Sequence, residues 1–252
     1  MRKKLITFGC SWTWGVGAYY QQGDYITEEH HWDMAWNSSS INNAARSILS
    51  RKYNLKNVNF AKRKRSNNYN FRKLREYVIA HKEDIIILFG ITSTARNEYY
   101  IPADNKYQFI KYNSSDADPA VNRFFLKHYD HDHEIKLLTE QIITWNDLLE
   151  YYKIPIIWYD TFNTHEYYQP LRNFIPNGDL LTQILNKKNI KYNYDPKWYH
   201  LSSWKNEDPR ITAGIKHGLL NPISYHPSKL GQELIAEIIE PYLSTIIARP
   251  DV

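Results

Sequence analysis

Leu5-Ile6-Thr7-Phe8-Gly9-Cys10-Ser11-Trp12-Thr13-Trp14-Gly15 is an apolar run that stops at a glycine, a small residue and a serine. It reads as a buried strand that delivers a serine to a loop. In open α/β sheets, sites form in the crevice beyond the carboxyl ends of parallel strands, so Ser11 stands where a nucleophile would. A serine after a strand also commonly caps the next helix, and both readings stay open at this point.

Beyond this run, short apolar segments alternate with amphipathic ones. Candidate strands are Lys4 to Gly9, Asn57 to Ala61, Asp84 to Gly90 and Pro155 to Asp160. Candidate helices carry Ile41, Ala45, Ile48 and Leu49, then Phe71, Leu74 and Val78, then Ile135, Leu138, Ile142, Trp145 and Leu149. Strand followed by helix, repeated, predicts an α/β fold: a three-layer α/β/α sandwich around a mostly parallel sheet. With 252 residues the chain is long enough for a substantial core, and residues 1–252 are expected to form a single domain. Three long inserts interrupt it, at about 19–40, 98–132 and 161–222. They are rich in aromatic and polar residues, including Asn193-Tyr194-Asp195-Pro196 and Trp198-Tyr199-His200. As loops after strands they would wall the crevice at Ser11. Trp and Tyr faces suit sugars and other amphipathic ligands, although 21 Tyr and 8 Trp also serve as core filling or protein contacts.

Near the other end, Ser224-Tyr225-His226-Pro227-Ser228-Lys229-Leu230-Gly231 precedes Leu234, Ile235, Ile238 and Ile239, an apolar stripe at helical spacing that Pro241 is expected to close. Pro227 biases His226 toward an extended backbone, and Ser228 is placed to cap the helix. Such a fixed loop suits a general base whose imidazole must be held still. An ordinary surface histidine is the plainer alternative.

Together these ends resemble the SGNH (GDSL-type) hydrolase family, whose first block is Gly-Asp-Ser after strand one and whose last is Asp-x-x-His-Pro before the final helix. Gly9-Cys10-Ser11 and His226-Pro227 match them. Asn59-Phe60-Ala61 through Ser66-Asn67-Asn68 is similar to the second block, with Lys64 at about the place of the oxyanion-binding Gly. Asp84 through Gly90-Ile91-Thr92-Ser93 looks like the third, with Thr92 and Ser93 for its Asn and Asp. The resemblance implies an SGNH/flavodoxin-like fold and acyl transfer to water, with Ser11 and His226 catalytic. Oxyanion contacts would fall to Ser11, Lys64, Asn67 and Thr92, and substrate contacts to Trp12, Trp14, Lys62 and Arg63. Neither a cofactor nor a metal is required. The substrate would be an acyl or acetyl ester, and the aromatic loops lean toward O-acetyl groups on a polysaccharide.

The departures bear on activity. Cys10 replaces the usual Asp of the first block, a variant familiar among phage-encoded relatives. Ile223 stands where the family has the triad Asp, three residues before His226. A serine–histidine dyad, a backbone carbonyl, or a carboxylate from elsewhere such as Asp160 or Asp208 would then have to serve. In a serine protease triad, loss of the acid costs about four orders of magnitude in turnover. The competing reading is an SGNH-fold protein that has lost catalysis and serves in binding or structure, with protein partners if it belongs to a virion.

The net charge of +5 is clustered: Lys62-Arg63-Lys64-Arg65 is followed by Arg72, Lys73 and Arg75. No nucleic-acid-binding motif accompanies the run, which argues against a nucleic-acid partner; beside the second block it would attract an anionic substrate. His128, Asp130, His131, Asp132 and His133 alternate as metal ligands can, but they also fit a solvated loop before a helix. No His-Glu-x-x-His motif supports a metal there or at His30 and His31. No apolar run reaches membrane-span length, and Met1-Arg2-Lys3-Lys4 leads into the first strand without a signal-peptide pattern. The single cysteine excludes an internal disulfide. A cytoplasmic location is expected, in host cytoplasm or a virion if phage-encoded.

Overall fold

Strand β1 (Lys4–Phe8) sits inside a parallel four-stranded sheet, flanked by β2 (Lys56–Asn59) on one side and β3 (Ile85–Ile91) on the other. Strand β6 (Ile156–Asp160) pairs with β3 and completes the order β2-β1-β3-β6. The computed structural model describes residues 3–29, 34, 38–81, 84–111, 123, 127–161, 171–193 and 208–249. The register aligns Leu5 with Ile86 and Ile6 with Ile87, then Leu88 with Ile157 and Phe89 with Trp158. Because side chains alternate across a strand, this register sorts them into two cores.

One core holds Leu5, Ile86, Leu88, Ile157 and Tyr159 against four helices: α3 (Ala45–Lys52), α6 (Leu180–Lys187), α7 (Pro209–Lys216) and α8 (Lys229–Ile247). The other holds Ile6, Phe8, Ile87, Phe89 and Trp158 against α4 (Asn67–Ala80) and α5 (His131–Tyr151). The three-layer α/β/α arrangement expected from the alternating pattern is therefore present. Strand β3 is buried at every position, as a central parallel strand covered on both faces must be. From β1 the chain passes to β2 on one side and then to β3 on the other. The crevice between the ends of β1 and β3 is thus a topological switch point, where open α/β sheets bind their ligands. Two short helices, α1 (Ser11–Trp14) and α2 (Ser38–Asn43), lie between β1 and α3.

The structure departs from the sequence expectations in three places. The C-terminal helix does not close at Pro241 but continues to Ile247. A proline inside a helix costs about 3 kcal/mol, yet Leu243 and Ile246 prolong the buried stripe begun by Leu234, Ile235 and Ile239, and that burial carries the helix through. The insert at 98–132 is partly an antiparallel hairpin, β4 (Arg96–Ile101) and β5 (Lys106–Lys111). It is tied to α4 by Arg72, which pairs with Glu98 and lies 4.0 Å over the Tyr107 ring.

The insert at 161–222 contributes core rather than only a cleft wall. Leu180, Leu181, Ile184 and Leu185 of α6 and Ile211 of α7 are all buried beneath the sheet. Arg210, fully buried, joins the two helices by donating to Asp179 at 2.7 Å and to Asp208 at 2.8 Å. Each carboxylate also caps its own helix, Asp179 through Thr182 N and Asp208 through Arg210 N. His30, His31, Tyr194-Asp195-Pro196 and Trp198-Tyr199-His200 lie outside the described residues. Among the described residues no helix is long and apolar enough to cross a membrane.

Candidate active site

Helix α1 begins immediately beyond β1, and its geometry bears on the capping reading of Ser11. Cys10, not Ser11, is the N-cap, and it makes no side-chain cap bond. Ser11 is the first helical residue, so its hydroxyl is not used for capping. Its backbone N–H is one of the orphan donors of a helix start and makes no hydrogen bond among the described residues. The sharp turn from strand to helix needs Gly9 at φ +149°, where a Cβ would fall 2.4 Å from Thr13 Oγ1. Gly9 N donates to Asn70 Oδ1 at 3.2 Å, which pins the turn to α4.

His226 comes from the far end of the chain, and its Nε2 lies 2.7 Å from Ser11 Oγ. Several backbone bonds build the loop that carries it. Asn221 N donates to His226 O, and Tyr225 N donates to Asn221 O. The Asn221 side chain accepts from Ile223 N and Ser224 N, forming a tight turn, and donates to Tyr19 OH. Tyr225 takes the left-handed conformation at φ 60° to close it. Ser228 caps α8 as expected, accepting from Gly231 N, while its hydroxyl donates to Gly218 O at 2.6 Å. Gly17 seats this loop on the segment after α1, since a Cβ there would lie 2.5 Å from Pro227 O.

The loop after β2 lies against the same turn: Lys62 N donates to Gly9 O, and Ala61 N to Thr7 O. Lys64 adopts φ 61°, the left-handed conformation that glycine favours, at the position the family resemblance assigns to a glycine. Asn67 and Thr92 are joined directly. Asn67 Nδ2 donates to Thr92 O at 2.8 Å and Asn67 Oδ1 accepts from Thr92 N at 2.9 Å, so this amide fastens α4 to the end of β3. The Thr92 hydroxyl accepts from Arg96 Nη1 at 3.0 Å.

The remaining predicted residues divide. Trp12 is 2 % exposed and packs in the core, and its carbonyl accepts from Gln232. Trp14 is half-buried, Lys62 is exposed, and Arg63 is partly buried, which lowers its pKa. Arg72 and Lys73, which extend the basic run, are paired with Glu98 and Glu76. Of the carboxylates considered in place of an acid at Ile223, Asp208 is held by Arg210 and by the start of α7. Asp160 is buried at the carboxyl end of β6, opposite Ile91. Asp130 caps α5 through His133 N, and that bond lowers its pKa. Among the described residues no His, Cys, Asp and Glu group is arranged to hold a metal.

Two supporting residues carry no sequence signal. Arg46 on α3 is buried, donates to Trp14 O and Ser47 Oγ, and has no carboxylate partner among the described residues. Burial lowers its pKa to about 10, so it remains a cation beneath α1 at neutral pH. Tyr159, fully buried, donates to Thr13 Oγ1, and burial raises its phenol well above the usual range.

No family model matches the chain, and no curated protein matches it. Solved structures are similar in fold. An acetyl xylan esterase from Butyrivibrio proteoclasticus is 13 % identical with a TM-score of 0.48, over 97 % of this chain and 64 % of that one. An acetylxylan esterase from Geobacillus stearothermophilus, in the form of a catalytic mutant, is 15 % identical with a TM-score of 0.43, over 96 % and 94 %. A member of the lipolytic protein G-D-S-L family from Veillonella parvula is 13 % identical with a TM-score of 0.42, over 96 % and 98 %.

Proposed function

We propose that the chain is a divergent SGNH-type hydrolase, a single domain over residues 1–252, that cleaves carboxylic esters through an acyl-enzyme on Ser11. The observation that carries this reading is the 2.7 Å approach of His226 Nε2 to Ser11 Oγ across 215 residues of sequence. In this reading His226 accepts the Ser11 proton as Oγ attacks the ester carbonyl. The backbone N–H groups of Ser11 and Lys64 stabilise the oxyanion, while Asn67 serves by fixing Thr92. The imidazolium protonates the departing alkoxide. Water, deprotonated by His226, then releases the acid from Ser11. No step calls on a cofactor.

The aromatic loops favour an O-acetylated polysaccharide as substrate, and Lys62 and Arg63 favour one of acidic character. The Gly9-Cys10-Ser11 variant favours a phage-encoded member, acting in infected cytoplasm or on a virion. Fluorophosphonate labelling followed by intact mass, with p-nitrophenyl acetate turnover, tests the mechanism on the native chain and Ser11→Ala. A single adduct and turnover that both disappear in the variant support an activated serine.

A second reading rests on Ile223 and on the commitment of Asp208 to Arg210: the fold persists as a binding or structural protein with catalysis lost. No adduct, and turnover equal to that of Ser11→Ala, would favour it.

A further inference from the structure

Between the start of α4, the segment after β3 and the first half of α5 lies a cleft of about 170 Å³. Asn68, Asn97, Glu134 and Gln141 line it, with Leu137 and Leu138 as its apolar part. Asn68 Nδ2 donates to Asn97 Oδ1 at 2.7 Å, which leaves an acceptor on Asn68 and a donor on Asn97. The side chains of Glu134 and Gln141 make no hydrogen bond among the described residues. Burial raises the Glu134 pKa.

This lining selects a class of ligand. An acyl chain would strip water from amides and a carboxylate and return no hydrogen bonds. An anion would meet the Glu134 carboxylate, and Arg96, which also lines the cleft, donates to the Thr92 hydroxyl. A neutral molecule rich in hydroxyls satisfies donors and acceptors alike, because each hydroxyl both gives and accepts. The cleft is linked to the Ser11 site through α4. Asn67, on its rim, clamps Thr92, and Asn70, about one helical turn of 5 Å further along α4, accepts from Gly9 N beside Ser11.

We infer that this cleft is a subsite for one neutral sugar ring, held by Asn68, Asn97, Glu134 and Gln141. That the ring belongs to the alcohol portion of the cleaved ester rests on the hydrolase reading above, whereas the binding itself does not.

The test uses the full chain carrying Ser11→Ala, so that nothing is turned over. It is titrated with glucose, galactose, xylose, mannose and N-acetylglucosamine, and separately with glucuronate and inorganic phosphate, while the side-chain amide resonances of Asn68, Asn97 and Gln141 are followed. At least one neutral sugar is expected to shift all three, with millimolar affinity. Gln141→Ala should weaken it about tenfold, the loss of one or two hydrogen bonds. Resonances that move with none of the neutral sugars, or only with glucuronate or phosphate, overturn the inference. Fluorophosphonate labelling of the native chain tests the hydrolase reading independently, so failure of one is separable from failure of the other.

Discussion

Gly17→Ala is expected to disable the Ser11 site without touching either reacting side chain. Gly17 is buried, and an added Cβ would stand 2.5 Å from Pro227 O and 2.8 Å from His226 O. Both obstacles are backbone atoms, so neither can rotate away. Ordinary van der Waals contact begins near 3.4 Å, so the His226 loop and the Gly17 segment must part by about 0.9 Å. Taken wholly along the 2.7 Å line between His226 Nε2 and Ser11 Oγ, that parting gives a separation of at most about 3.6 Å, beyond hydrogen-bond range. A misplacement of about 1 Å costs roughly 100-fold in rate, and overpacking of this kind costs about 1–3 kcal/mol in stability. The assay is kcat for p-nitrophenyl acetate beside a urea melt. A folded Gly17→Ala protein with kcat within twofold of the native value would refute the claim that this contact sets the serine–histidine distance.

Ile223→Asp places a carboxylate where the hydrolases that this sequence resembles have their acid, and the Asn221 turn preserves the backbone there. An increase in kcat of at least tenfold is expected, with KM unchanged, read from steady-state kinetics of the two proteins. Arg210→Met leaves Asp179 and Asp208 buried without their cation, at a cost of about 3–5 kcal/mol in urea denaturation at pH 7. Acidification neutralises the stranded carboxylates, so the gap from the native chain should narrow toward pH 4. Glu134 has a folded pKa above its unfolded value, so the folded state binds more protons and stability falls as pH rises through that window. Glu134→Gln should therefore melt higher than the native chain at pH 7 and equally at pH 3, in paired thermal scans.

The sheet is legible in the sequence because its strands are unusually plain. Ile85 to Ile91 is apolar throughout, and only a strand covered on both faces can bury such a run. Ser11 and His226 are legible because each lies at a strong local boundary, Gly9-Cys10 in one case and His226-Pro227 in the other. What fails to show is tertiary. Pro241 is a stop signal by local rules, and only the burial of Leu243 and Ile246 overrides it. Helix α6 has helical spacing in Leu180, Leu181, Ile184 and Leu185 and a capping Asp179, yet it lies within a stretch dominated by aromatic and polar residues. Asn221 holds the His226 loop through contacts that a sequence displays only as Asn before Pro222. Arg46 gives no signal, since a basic residue in a surface-like helix says nothing of the Trp14 carbonyl it meets.

The acid of a serine hydrolase does two jobs: it fixes the orientation of the imidazole and stabilises the imidazolium that forms. In this chain Asn221, Gly17 and Pro227 fix the backbone from which His226 projects, which serves the first job only as far as the loop is concerned. Ile223 cannot perform the second. On the hydrolase reading proposed above, that division predicts a site that is assembled but slow, with oxyanion stabilisation supplying the catalysis that remains.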